Sequence, residues 1–274
     1  MVIESLKNPF SAEKKPSKIF ILGMVYALVG VLFAWWVFRD QASIVFVFFT
    51  AMASIPLIFS LIKLEETSTI QIETEESILK HHLKALWVVL FLFLGIVVIT
   101  ALLFVIFSPQ ITQTLFNVQI NTIQGLGHTV NLGVNQITGE VISSFSGFVN
   151  IFFNNVRVLA FCLLFSLVYG MGAIFILTWN ASVIGVALGN LIRSEIIHLT
   201  TNLGFSHIPA VVGISSCGIL RFFIHGIPEI SAYVLSALAG GILSVSIIKH
   251  HLKGKPLEKL LLDIVDLLFI AIIL

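Results

Sequence analysis

Residues 85–107 read ALWVVLFLFLGIVVITALLFVIF, a run with no charged, amide or histidine side chain. A helix of about 20 apolar residues crosses the hydrocarbon core of a bilayer, and this run is long enough to do so. Similar runs flank it. On the amino-terminal side, Ile19 to Phe38 and Ala42 to Ile62 are separated by the tight polar turn Arg39-Asp40-Gln41. On the carboxy-terminal side, Arg157 to Thr178 reads as a fourth span. Beyond it, the pattern becomes irregular. Ala181 to Leu199 is interrupted by Arg193 and Glu195, and the runs Ile208 to Ile224 and Ile227 to Ile248 follow. A last apolar segment reaches Leu274. The 274 residues are 58% hydrophobic and 11% charged. Soluble domains are usually about 25% charged. The composition therefore excludes a soluble enzyme and predicts an all-α polytopic membrane bundle of about six or seven spanning helices.

Lysine placement orients the chain. The lysines fall in the first 18 residues, in 63–84 and in 249–259, which predicts that all three are cytoplasmic. The segment 1–18, with Pro9 and Pro16, reads as a cytoplasmic tail and not as a cleaved signal peptide. Residues 19–107 form a three-helix membrane region. Residues 108–156, without lysine or arginine, are expected outside, and 157–274 forms a second membrane core. No basic stripe marks a nucleic-acid surface. The expected location is the cell membrane, with the amino terminus cytoplasmic.

Parity constrains the second half. If the fourth span ends inside, three further full crossings would put the lysines of 249–259 outside. One of the three must enter and leave on the same face. The favoured re-entrant piece is Ile208 to Ile224, ending at Gly226 and Pro228, residues that interrupt helices. The alternative is Ala181 to Leu191. In 108–156, Ile111, Leu115, Val118, Phe145, Phe148 and Phe152 recur at helical spacing among amides and hydroxyls. That pattern predicts amphipathic helices at the outer interface, either as a cap on the bundle or as a partner-binding face.

Ionisable groups in a span are expensive and mark the residues of interest. Arg221-Phe222-Phe223-Ile224-His225-Gly226-Ile227-Pro228-Glu229 carries three at intervals of four. Arg193, Glu195 and His198 cluster nearby, and Asn154, Asn155 and Asn180 add amides at the ends of the fourth span. Three readings stay open for this set. Arg193 or Arg221 pairs with Glu229 or Glu195 and locks helices together, or the groups line a substrate or ion pathway, or His198, His225 and Glu229 hold a metal. The last lacks the His-Glu-x-x-His spacing of zinc proteases. Gly185 and Gly189 form a small-residue pair suited to close helix packing. Cys162 and Cys217 read as packing residues. His81-His82 and His250-His251, with Asp263 and Asp266, read as polar groups at the inner interface.

The order Phe153-Asn154-Asn155, then Asn180 and Gly185, then His225-Gly226-Ile227-Pro228-Glu229, resembles the stage II sporulation protein M family over about residues 145–274. Two departures stand out. Family members often carry Asn-Gly where this chain has Asn180-Ala181. Their terminal helix usually runs on to a glutamate, whereas this sequence stops at Leu274 within an apolar run, as a truncated chain or as a member without that group. The family's namesake is a membrane anchor for a complex of peptidoglycan-degrading enzymes during engulfment, with no known catalytic role. The resemblance implies a non-enzymatic scaffold or partner in a membrane or envelope assembly, without a cofactor. Its partners would be the lipid bilayer, envelope proteins and a further copy in a homo-oligomer. The alternatives are a transporter or channel with a polar site at the broken helices, and an intramembrane metal-dependent hydrolase.

Overall fold

A computed structural model describes residues 16–71, 75–125, 144–169, 172–198, 226–244 and 255–273. The described chain is helical throughout, apart from short turns. α1 is Pro16–Val37, followed by the 3-10 turn Arg39–Gln41. α2 is Ala42–Gln71, α3 Glu75–Ile106, α4 Pro109–Gly125, α5 Ser144–Tyr169 and α6 Ala173–His198. α7 is Gly226–Ser244. α8 is Lys255–Ile273. Five of these, α1, α2, α3, α6 and α7, contain stretches long and apolar enough to cross a membrane. α5 and α8 carry the shorter apolar stretches Phe152–Val168 and Ile264–Ile273. The expected all-α membrane bundle is the observed architecture.

The polar triplet Arg39-Asp40-Gln41 turns the chain because its backbone bonds are local. The Phe38 amide closes α1 onto the Ala34 carbonyl at 2.9 Å, and the Gln41 amide bonds the Phe38 carbonyl at 2.9 Å. α2 continues through Pro56, which removes one helical donor without stopping the helix.

α3 is the centre of the bundle, packed between α1 and α6. Lipid tails are as apolar as leucine, so close fit holds membrane helices together more than burial does. The fit here is made by glycine. Gly23 faces the backbone of Leu92, and Gly95 faces that of Phe20, each so closely that an added methyl group would collide. Gly185 and Gly189 play the same part between α6 and α3, where a Cβ would fall 2.7 Å from Thr100 and 2.8 Å from the Ala101 carbonyl. These two residues pack as the small-residue pair predicts.

α4 is the least apolar helix and is kinked at Phe116 (φ −126°, ψ 20°). Leu115, Phe116, Ile120 and Ile123 join a buried cluster with Val31, Phe46, Phe104 and Val186. Phe116 meets Phe46 edge-on at 5.7 Å. Its opposite face exposes Gln110, Gln113, Asn117 and Asn121. Of the two readings of the outer segment, α4 takes the cap packed on the bundle.

The second half differs from the expected spans. The fourth span was expected over Arg157 to Thr178, but α5 ends at Tyr169 and α6 begins at Ala173. Two glycines, Gly170 and Gly172, flank this boundary and outweigh the apolar continuity that hid it. The chain doubles back there, with Ala173 and Ile174 lying near Ser166. Ala181 to Leu191 is therefore not a re-entrant piece, because it is the middle of a continuous α6. Ile208 to Ile224 lies outside the described residues. From Gly226 onward the chain is helical through Pro228, so neither residue breaks α7 itself.

α5 and α7 run parallel. Tyr233 meets Asn155, Ser236 donates to the Leu159 carbonyl at 3.0 Å, and Gly240 packs on the Leu163 carbonyl. Since α6 folds back on α5, α6 ends on the face where α5 and α7 begin. The chain thus leaves α6 and enters α7 on the same face.

Candidate functional site

The candidate residues divide between two polar centres. The first surrounds Arg193, near the end of α6. Its guanidinium bonds the Phe107 carbonyl, reaches the Val105 carbonyl at 3.5 Å and the Thr112 hydroxyl at 3.4 Å, and sits 5.3 Å from the centre of the Phe104 ring. α3 ends at Ile106, so these carbonyls lack helical donors and carry the negative end of the helix dipole. Arg193 satisfies them and ties α6, α3 and the start of α4 together. That use explains why an arginine does not interrupt α6: its charge faces acceptors within the bundle. Its bonding partners are carbonyls and a hydroxyl, where pairing with Glu195 or Glu229 was one expectation. Glu195 lies half-buried one turn from the end of α6. His198 closes that helix.

The second centre joins α5 to α7. Tyr233 is buried and its hydroxyl lies 2.7 Å from Glu229 Oε1 and 3.0 Å from Asn155 Oδ1. It has one proton to give, and the carboxylate is the stronger acceptor. Glu229 and Tyr233 are one turn apart, so α7 itself aligns the pair, and Asn155 closes the contact from α5. Asn154 is half-buried on the same turn of α5. Arg221 and His225 lie outside the described residues. The proposed metal trio is thus described only at the Glu229 side chain. Among the described residues, no three metal-ligating side chains gather.

Asn180 does not stand at the inner end of a span. It lies within α6, where its amide donates to the Ile176 carbonyl at 2.9 Å. The span boundary moved to residues 170–172, which leaves Asn180 inside a helix, bonded back one turn.

Two participants escaped sequence reasoning. Tyr233 was counted as part of an apolar span, although its spacing of four from Glu229 was a usable signal. Gln119 was one amide among many in an amphipathic segment. It is fully buried, donating to the Ser43 carbonyl at 2.9 Å and contacting the Ser182 hydroxyl at 3.2 Å, and so joins α4 to α2 and α6. Its Oε1 has no hydrogen-bond partner among the described residues.

A cavity of about 20 Å³ lies between Ile58, Val89, Leu177 and Val234, with Ser166 on its wall. That is room for about one water molecule. A larger recess of about 530 Å³ opens beside Leu32, Phe33, Trp35, Trp36 and Arg39 at the end of α1. Tryptophans flanking an arginine between two spans suit the boundary between hydrocarbon and headgroups.

Comparison with protein-family models, with curated proteins and with solved structures returns no match for this chain.

Proposed function

We infer that this integral membrane protein is a non-enzymatic scaffold or partner in a membrane or cell-envelope assembly, of the stage II sporulation protein M type. One observation carries the reading. Two side chains of the candidate set are bonded across helices: Asn155 of α5 to Tyr233 of α7, and Arg193 of α6 to the end of α3. Groups used in this way hold helices in register, which is what a scaffold needs of them. A pathway would need the same groups turned toward water.

The test compares wild type with Glu229→Gln and His225→Ala, purified and returned to liposomes. Thermal unfolding in detergent, crosslinking to neighbours in native membranes, and ion flux from the liposomes are measured together. A scaffold role predicts lower unfolding temperatures, loss of crosslinked neighbours and no flux above empty liposomes. Saturable flux that disappears in Glu229→Gln, with stability unchanged, would establish the transporter alternative instead.

A further inference from the structure

Arg157 and Asp266 both lie on outward faces of the bundle. Arg157 is exposed on α5, in company with Phe153, Phe161 and Leu164. Asp266 is exposed on α8, beside Val265, Phe269 and Ile272. Apolar exposure on a membrane helix needs no explanation, because lipid covers it. The two charges do. Arg157 falls between Asn155 and Leu159, which contact Tyr233 and Ser236 at the middle of α7. Leu267, next to Asp266, packs in a cluster with Leu235, Ala239 and Ile242 of α7. Both charges therefore lie alongside a membrane-spanning helix. Neither has an ionic partner among the described residues.

A long arginine stem can carry its charge toward the interface, but an aspartate side chain is too short to do so. Charges within a span normally face the bundle interior or pair with one another. Among the described residues, one face offers a cation and the other an anion. In a two-fold dimer, a contact between residue i of one copy and residue j of the other occurs twice. We propose that the α5 and α8 faces form a dimer interface with a second copy of this chain, in which Arg157 of each copy pairs with Asp266 of the other. The flanking phenylalanines supply the fit around each pair and exclude lipid from it. The inference stands apart from the scaffold reading, since a transporter could dimerise through the same faces.

Subunit counting of single labelled molecules in liposomes, over a range of protein densities, tests it. Wild type should be counted mainly as two. Arg157→Asp or Asp266→Arg alone should raise the dissociation constant at least about tenfold, because like charges then meet within the interface. Arg157→Gln and Asp266→Asn should weaken it less, and they serve if the reversals fold poorly. The decisive arm mixes the two single reversals. Arg157→Asp in one copy and Asp266→Arg in the other restore both pairs across the interface, so the mixture should dimerise as wild type does. Wild type counted as one at every density would overturn the proposal. So would single variants that dimerise unchanged. Rescue by the double reversal within one chain, but not by the mixture, would place the pair inside a single copy and overturn it equally.

Discussion

The α1–α3–α6 core and the α5–α7 pair are held together in different ways. In the core, α3 meets its neighbours through Gly23, Gly95, Gly185 and Gly189, backbone against backbone. Between α5 and α7, one glycine contact at Gly240 is joined by the hydroxyls of Tyr233 and Ser236. The core depends on shape, which is unforgiving of added volume. The α5–α7 pair depends partly on hydrogen bonds, which in membranes contribute modestly, on average about 0.6 kcal/mol each in measured cycles. The core should therefore be the rigid platform and the α5–α7 pair the weaker joint.

The contrast is most sharply broken at Gly95. Gly95→Leu would force a side chain into the backbone of Phe20 and Met24 and separate α1 from α3. A loss of about 3 kcal/mol is expected from overpacking of this kind, read by denaturant unfolding in micelles. A near-neutral result would mean that α1 is not closely seated. Arg193→Met keeps volume but abandons the carbonyls of Val105 and Phe107. Removing charge-assisted bonds should cost about 2 kcal/mol in the same assay, with the end of α3 fraying first in hydrogen exchange. Gln119→Met should have the smallest effect. It forfeits the bond to the Ser43 carbonyl but also removes an Oε1 that has no partner among the described residues, and a change within about 1 kcal/mol is expected. A larger loss would show that α4 is latched by that one amide.

The membrane class was legible because 85–107 and its neighbours are apolar over a full bilayer width, a property each segment carries alone. Boundaries were less legible. Gly170 and Gly172 sit in an unbroken apolar stretch, so hydropathy ran past the turn and moved Asn180 to a helix end it does not occupy. The partners of the polar residues were least legible. Arg193 bonds carbonyls freed by the end of α3, and which carbonyls are free depends on where another helix stops. Gln119 reaches Ser43 across a distance in sequence that no local pattern encodes.

The central claim is that Asn155 and Arg193, among the candidate polar residues, join helices to one another. A double-mutant cycle on Asn155→Ala and Tyr233→Phe, measured by unfolding in micelles, tests it most directly, because the two side chains belong to different helices. A coupling energy of about 1 kcal/mol is predicted, within the range measured for hydrogen bonds between membrane helices. Additive losses, with coupling below about 0.3 kcal/mol, would contradict the claim.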